Sequence, residues 1–191
     1  LSYYSTLVEQ HPLSEESTSA LAGIESLYQS MNKPEEYLAY LDRIGMSSLK
    51  TADEKELMFF NAAEQLFLAG NYREALVSLK NYLTKYPNGS RLSQAYFYEA
   101  ECLKMTGSIE AAADAYHQVM LIGEGSFSEL ATLNYANLCL VLEKNQEAVL
   151  AYETLSSIAK LDNNRQLAEV GKMRAYFRAG NAAKALACAE R

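Results

Sequence analysis

The sequence predicts an all-α fold, and three observations lead to that prediction. Gly and Pro number 9 and 3 in 191 residues, about half of their usual combined share of roughly 12%. Residues that favour strands are also scarce, since the chain has 6 Val, 5 Ile and 7 Thr. Apolar residues recur three and four residues apart, the spacing that places them on one face of a helix. A β-rich or loop-rich fold is therefore not expected.

The charge and hydropathy of the chain argue against two classes of partner. The net charge is −7 and the 17 Lys and Arg residues form no run, so no nucleic acid partner is expected. The longest apolar stretches, such as residues 138–142, have about five residues, whereas a membrane-spanning helix needs roughly 20. We therefore expect no direct membrane insertion. No secretion signal is visible from Leu1 onwards, and the chain is interpreted as an excised piece of a longer protein.

The residues that could carry chemistry do not converge in the sequence. Cys102, Cys139 and Cys188 are 37 and 49 residues apart, which matches no zinc or redox pair, so each is predicted to be a buried thiol. The only histidines, His11 and His117, lie in distant parts of the chain. Residues 123–126 contain two glycines but lack the Lys of a phosphate loop. No catalytic, cofactor-binding or metal-binding residue is predicted, and the chain is not expected to be an enzyme.

A six-residue turn pattern occurs five times and divides the chain into helical hairpins. Gly70, Gly107 and Gly180 begin three of the turns, and Met31 and Glu143 take the same place in the other two. Successive turns are 39, 37, 36 and 37 residues apart. Gly at this place can adopt the left-handed backbone that ends a helix. A turn this short predicts two helices in tight antiparallel contact.

The residues that follow each turn predict helix caps. The next column holds mostly capping side chains: Asn32, Asn71, Ser108, Lys144 and Asn181. Three residues further on, Glu35, Glu74 and Glu147 predict capping boxes in three of the five repeats.

Packing columns support the same register. The first helix of each hairpin carries two predicted core columns: Ile24, Ala63, Ala100, Ala136 and Met173, then Leu27, Leu66, Leu103, Cys139 and Tyr176. The second helix carries a column of small residues and a column of larger ones: Ala75, Ala112, Ala148 and Ala185, then Tyr40, Leu79, Tyr116 and Tyr152. These spacings place each set on one helical face, which a neighbouring helix would bury.

Taken in order, the elements form one solenoid over residues 1–191. Residues 1–11 are predicted to be the second helix of a preceding repeat, and residues 164–191 a truncated last repeat. Four full repeats are predicted between them, at residues 14–45, 54–88, 91–124 and 127–161. Incomplete hairpins expose apolar faces, so end-to-end self-association of the fragment is expected to be possible.

These repeats resemble the tetratricopeptide repeat (TPR) family over essentially the whole chain. The resemblance implies a right-handed α-α superhelix, a TPR solenoid of antiparallel helical hairpins. Residues 56–126 look most like bacterial cell-envelope members, such as the Tol-Pal coordinating protein and the barrel-assembly lipoprotein. That similarity implies a periplasmic or outer-membrane-associated protein, with a cytoplasmic one as the alternative.

The sequence departs from the family pattern in a few places. Thr132 and Glu169 stand where a large residue is usual in the first helix, and Glu36 stands where Ala is preferred. The closing Pro survives at Pro12 and Pro87, and Glu124 and Lys160 replace it elsewhere.

The resemblance also implies a concave groove lined by the first helices, with a protein or peptide as partner. The predicted groove residues are Leu21, Glu25, Tyr28, Phe60, Glu64, Phe67, Phe97, Glu101, Lys104, Leu133, Asn137, Leu140, Arg174 and Phe177, with Val170 completing one row. Phe60, Phe67 and Phe97 would be apolar anchors, and Arg174 with Arg178 would form a basic cluster. Basic residues of the partner are expected to face Glu25, Glu64 and Glu101.

Other interpretations remain open at this stage. Neighbouring hairpins could bury much of this apolar stripe, in which case some groove residues are core. The chain could also be a structural spacer, or a regulatory module of a larger multi-domain protein. The favoured hypothesis is a non-enzymatic scaffold for protein–protein interaction.

Overall fold

The computed structural model describes residues 2–10, 14–123 and 125–190. Within these ranges every regular element is helical, which confirms the predicted all-α class. The chain divides into two compact units, Leu1–Gly89 and Ser90–Arg191. His11, Pro12 and Glu124, which the sequence singled out, lie outside the described residues.

The first unit contains five α-helices and a short 3-10 turn at Ser47–Leu49. The helices are α1 Ser2–Gln10, α2 Glu15–Ser30, α3 Pro34–Arg43, α4 Ala52–Leu68 and α5 Tyr72–Lys85. Each helix contacts the next one along the chain. Tight turns join α2 to α3 and α4 to α5, whereas a longer segment that includes the 3-10 turn joins α3 to α4.

The second unit contains six α-helices in three consecutive pairs. They are α6 Leu92–Met105, α7 Ile109–Ile122, α8 Ser128–Val141, α9 Asn145–Ile158, α10 Asp162–Arg178 and α11 Ala182–Ala189. Consecutive helices contact each other, and α8 also contacts α10, so two first helices lie side by side. None of the helices in the described part of either unit is long and apolar enough to cross a membrane.

Each tight turn contains one residue with left-handed backbone, followed by a hydrogen bond back into the first helix. The φ values are 77° at Gly70, 85° at Gly107 and 80° at Gly180, and Glu143 adopts 59° without being glycine. After Gly70, the Asn71 N–H donates to the Leu66 carbonyl over 2.9 Å. This 6→1 bond is the Schellman motif, which satisfies a carbonyl at the end of the helix and turns the chain back.

The first turn has a different register from the one that the sequence predicts. Asn32, not Met31, has the left-handed φ of 55°, and the Lys33 N–H donates to the Tyr28 carbonyl. The prediction that Leu27 occupies the core column is therefore wrong, and Leu27 is 38% exposed. Asn adopts left-handed backbone more readily than most other residues with a Cβ, which explains how this turn closes without glycine.

The same one-residue shift applies to α3. Tyr37 occupies the place of Ala75, and Leu41, not Tyr40, occupies the place of Leu79. Glu36 therefore does not stand at the alanine position, and the departure inferred from the sequence is an effect of the wrong register. All three of Tyr37, Tyr40 and Leu41 are buried.

The remaining core columns are buried as predicted at most positions, and Leu66 of α4 is only half-buried. In the first helices Ala63, Ala100 and Ala136 are fully buried, and Met173 is half-buried. In the second helices Ala75, Ala112, Ala148 and Ala185 are buried, together with Leu79, Tyr116 and Tyr152. Small residues at these places let the helix axes approach closely, and the larger ones fill the space between hairpins.

Most of the predicted side-chain caps do not form. Asn71, Ser108 and Lys144 begin their helices without a side-chain hydrogen bond, so the boxes predicted at Glu74 and Glu147 are absent, as is the one at Glu35. Asn181 is the exception, because its Oδ1 accepts from the Lys184 N–H over 3.1 Å. Asn71, Ser108 and Lys144 have ψ values of 62° to 71°, and Asn181 caps its helix with a similar ψ of 72°, so the backbone conformation alone does not decide whether a side chain caps.

Extended backbone and side-chain caps occur instead at two first helices. Ser14 caps α2 with ψ 156° by accepting from the Ser17 N–H. Thr51 caps α4 with ψ 167°, and the Glu54 carboxylate in turn accepts a hydrogen bond from the Thr51 N–H over 2.8 Å. This capping box lies in the sequence as Thr-Ala-Asp-Glu, a signal that the repeat-based register overlooked.

All three cysteines are free thiols in unit 2. Cys102 and Cys139 are fully buried, and burial raises the pKa of the Cys102 thiol to about 12. Burial also raises the pKa of Cys139. Cys188 is half-buried and lines a cavity of about 470 Å³ between α9, α10 and α11.

We predict that only Cys188 reacts with Ellman's reagent in the folded protein. Cys102 and Cys139 have no access to the reagent and little thiolate at pH 8, because burial raises their pKa. Absorbance at 412 nm should report one thiol per chain in buffer and three in denaturant. A Cys188→Ser variant should report none before unfolding, and release of two or more thiols from the native protein would contradict the burial.

Candidate functional site

The predicted groove residues lie on first helices of both units, and the structure gives them different environments. In unit 1, Leu21, Glu25 and Tyr28 lie on α2, and Phe60, Glu64 and Phe67 lie on α4. In unit 2, Phe97, Glu101 and Lys104 lie on α6, Leu133, Asn137 and Leu140 on α8, and Arg174 and Phe177 on α10.

Two of the predicted aromatic anchors belong to the core. Phe60 is 2% exposed and meets Tyr82 of α5 edge-on at 5.6 Å between ring centroids. Phe97 is 6% exposed and stacks on Phe127 at 4.4 Å. The interpretation of Phe60 and Phe97 as exposed anchors is therefore wrong, because Tyr82 covers the second apolar stripe of α4 and Phe127 covers that of α6.

The other apolar groove residues of unit 1 are partly covered. Leu21 and Tyr28 pack against the buried cluster around Ile24. Phe67 is half-buried, with its ring 6.0 Å from that of Tyr72. These three side chains present little free apolar area, so unit 1 does not offer an apolar patch of the predicted kind.

Glu25 is compensated within the fold. The Lys50 ammonium lies 2.7 Å from Glu25 Oε1, and the Tyr37 hydroxyl donates to Oε2 over 3.0 Å. Gln29 donates to the same carboxylate over 3.3 Å. Lys50 comes from the segment between α3 and α4, which the repeat pattern treats as a connector, so no helical spacing in the sequence pairs it with Glu25.

The negative charge of Glu101 on α6 is also compensated within the fold. Glu64 lies half-buried on α4. The Lys104 ammonium lies 3.0 Å from Glu101, and the Tyr116 hydroxyl donates to it. Asn134 of α8 donates to the same carboxylate over 3.4 Å. Burial and the adjacent Glu101 raise the pKa of Tyr116 strongly, so its hydroxyl stays a donor. Glu101 therefore holds α6, α7 and α8 together.

The facing sides of α8 and α10 form the one predicted row of residues that stays open in the described part of unit 2. Leu133 and Leu140 are half-buried and Asn137 is exposed on α8. On α10, Val170 is 45% exposed, Phe177 is 72% exposed and Arg174 is exposed. The two helices touch, and Arg178 Nη1 donates to the Leu140 carbonyl over 3.0 Å.

Three further exposed apolar side chains extend this row. Leu130 and Val141 on α8 and Leu167 on α10 are exposed. Both helices carry their residues at spacings of i, i+3, i+7, i+10 and i+11, which lie on one helical face. We refer to these ten residues as the α8–α10 surface: Leu130, Leu133, Asn137, Leu140, Val141, Leu167, Val170, Arg174, Phe177 and Arg178.

Tyr152 of α9 supports the middle of this surface from beneath. Its hydroxyl donates to Asn137 Oδ1 over 2.6 Å. Its ring lies directly on Gly171 of α10, where an added Cβ would meet Tyr152 Cε1 at 2.1 Å. Burial raises the pKa of the Tyr152 phenol, and the nearby Arg174 guanidinium opposes that rise. Tyr152 thus fixes the position of α10 relative to α8.

The remaining chemistry-bearing groups have structural roles. His117 stacks on Tyr135 at 4.7 Å with an angle of 15° between the rings. Among the residues that the structure describes, no group of three or more His, Cys, Asp or Glu side chains is placed to hold a metal ion.

Comparison with solved structures identifies the fold. A MamA protein structure has a TM-score of 0.54 and 15% identity, covering 93% of this chain and 90% of that chain. A putative kinesin light chain of Podosopora anserina, with nearly identical TPR-like repeats, has a TM-score of 0.53 and 16% identity, covering 100% of this chain and 94% of that chain. BtubC from P. vanneervenii has a TM-score of 0.54 and 13% identity, covering 100% of this chain and 84% of that chain.

These similarities confirm the predicted TPR-type fold. No protein-family model and no curated protein sequence matches the chain. The finer resemblance to cell-envelope members finds no support in the solved structures, so it stays a prediction from residues 56–126.

We predict that Gly171→Ala destabilises the protein, although alanine favours helix by about 1 kcal/mol over glycine. The new methyl would displace the Tyr152 ring, and overpacking of this kind costs about 1 to 3 kcal/mol. Urea unfolding followed by circular dichroism should show a lower midpoint.

Gly23→Ala is the matched control in α2. An added Cβ there meets no atom closer than Tyr4 Cε2 at 3.4 Å, so its unfolding midpoint should stay the same or rise. Equal midpoints for the two variants would show that Tyr152 does not fill the space beside Gly171.

Proposed function

We propose that this chain is a non-enzymatic helical-repeat scaffold that binds a protein segment on the α8–α10 surface. The observation that carries the proposal is Phe177, which is 72% exposed beside a row of other exposed apolar side chains. Contiguous exposed apolar side chains on a folded protein usually mark an interaction site. Aromatic residues and Arg are the types enriched at the centres of protein–protein interfaces.

The fold supports this proposal in a second way. Helices α8 and α10 belong to successive hairpins, so their facing sides form a shallow strip as long as the helices. A strip of this kind suits an extended or helical segment better than a small molecule, which needs an enclosed pocket. Tyr152 contacts both Asn137 of α8 and Gly171 of α10, and a surface that is ordered before binding has a lower entropic cost of association.

A structural spacer is the main alternative function. It would use the hairpins to separate other domains and would not need Phe177 or Val170. The periplasmic or outer-membrane-associated location is a further part of the proposal, supported by the resemblance of residues 56–126. Reading the flanking sequence of the parent gene for a signal peptide or lipidation site tests that location.

We predict that the double variant Val170→Ser, Phe177→Ser loses peptide binding and keeps its fold. Random 12-residue peptides, displayed with both ends fused to carrier protein, would be selected on the wild-type 191-residue chain. Fluorescence anisotropy with the enriched peptides should show at least a tenfold loss of affinity, since two buried apolar contacts contribute about 1.4 kcal/mol or more.

The double variant Val77→Ser, Leu150→Ser is the matched control. Val77 and Leu150 are 71% and 61% exposed on second helices, so their replacement removes a similar apolar area elsewhere. The control should bind like wild type, and both variants should unfold at the wild-type temperature. Enriched peptides that bind the Val170→Ser, Phe177→Ser variant as tightly as wild type would refute the α8–α10 surface as the site.

A further inference from the structure

The charges on α10 are not balanced, and the excess lies on the α8–α10 surface. Helix α10 carries four basic and two acidic residues. Asp162 pairs with Arg165 at 2.9 Å, and Glu169 pairs with Lys172 at 2.6 Å. Four basic residues minus two acidic ones leave two positive charges, and these belong to Arg174 and Arg178.

Neither arginine has a carboxylate partner within the described residues. Arg178 donates to a backbone carbonyl, that of Leu140, and Arg174 has no hydrogen bond or ion pair there. The single carboxylate on α8, that of Glu129, accepts from Asn164 over 2.7 Å and from the Lys160 N–H over 2.9 Å. Each carboxylate on α8 and α10 therefore already has an ion pair or a hydrogen bond within the fold.

Asn137 adds hydrogen-bond donors beside Arg174. Its Oδ1 accepts from the Tyr152 hydroxyl, so its Nδ2 group, which has no partner among the described residues, offers two N–H donors. Arg has donors only, in a fork that matches a carboxylate. The centre of the surface thus presents donors and positive charge, which is the requirement for recognising an anion.

These charges reverse the expectation drawn from the sequence. That expectation placed basic residues of the partner opposite Glu25, Glu64 and Glu101. Lys50 compensates Glu25 and Lys104 compensates Glu101, so neither glutamate requires a cation from a partner. The uncompensated charge of the site is positive.

Apolar side chains lie on both sides of Arg174 along α10. Val170 is one turn before it and Phe177 is three residues after it, which are roughly 6 Å and 4.5 Å along the helix axis. In an extended peptide, alternate residues share a face and are about 6.6 Å apart. An acidic residue with apolar residues two places before and two places after it would place one apolar side chain close to Val170 and the other about 2 Å beyond the Cα of Phe177 along the helix axis.

We propose that the α8–α10 surface binds an extended internal segment of the form apolar-x-acidic-x-apolar, with the Asp or Glu side chain on Arg174 and Asn137. This inference rests on the proposed function and names the chemistry of its partner. The segment is internal because a chain terminus at Arg174 would leave the apolar side chains on one side of it uncovered. Its apolar residues cover Val170 with Leu133 on one side and Phe177 with Leu140 on the other.

The test uses the peptides enriched from the 12-residue library on the full 191-residue chain. Aligned sequences should contain Asp or Glu with apolar residues at both second neighbours. Arg174→Glu should weaken binding of such a peptide at least tenfold, and exchanging the acidic residue of the peptide for Lys should restore binding to that variant. Arg73→Glu, which changes the net charge equally on an exposed part of α5, should bind like wild type.

Each other outcome refutes a specific part. Some peptides could depend on Val170 and Phe177 but have Lys or Arg in place of the acidic residue, or bind the Arg174→Glu variant as tightly as wild type. Such peptides would overturn the acidic partner and leave the proposed function standing. Acidic peptides that bind only when released with a free C-terminal carboxylate overturn the internal segment. If no enriched peptide depends on Val170 and Phe177, the proposed function fails and this inference fails with it.

Discussion

The hydrogen bond that closes each hairpin sets the register of everything packed around it. After the left-handed residue, one N–H reaches back to a carbonyl in the last turn of the first helix, as Asn71 does to Leu66 at 2.9 Å. This bond fixes which residue of the second helix faces which residue of the first. Ala75 is then fully buried in the α4–α5 hairpin, and Tyr152 meets Gly171 in the next hairpin. The α8–α10 surface exists because α8 and α10 end in the same closing bond, so that equivalent positions of the two helices are exposed.

Sequence reasoning located most of the hairpins because Gly70, Gly107 and Gly180 have a backbone conformation that glycine adopts without strain. It misplaced the first turn by one residue, because Asn32 adopts the same conformation without being glycine. The error moved Tyr28 and Tyr37 out of their true columns. Periodicity alone could not correct it, since Tyr37, Tyr40 and Leu41 are all buried and a shifted register also places apolar residues inside.

The candidate site was harder to predict than the fold. Phe60 and Phe97 belong to a second apolar stripe, and a stripe in the sequence does not distinguish an open groove from a face covered by Tyr82 or Phe127. The charges posed a similar difficulty. Whether a glutamate is available to a partner depends on contacts such as that of Lys50 with Glu25, which are 25 residues apart and follow no helical spacing. Counting charges along one helix cannot reveal such pairs.

Glu143 shows how such a repeat can lose its recognisable sequence and keep its shape. It adopts the left-handed conformation at φ 59°, a strained conformation for a residue with a Cβ that costs about 1 to 2 kcal/mol. The Lys144 N–H still reaches the Cys139 carbonyl over 2.8 Å, so the turn closes as it does after glycine. The closing bond involves backbone atoms only. The strain at one residue is small beside the packing of the buried faces of α8 and α9 on either side of it. Substitutions can therefore erase the glycine signature turn by turn, which is consistent with a chain that matches solved structures at 13 to 16% identity and no protein-family model.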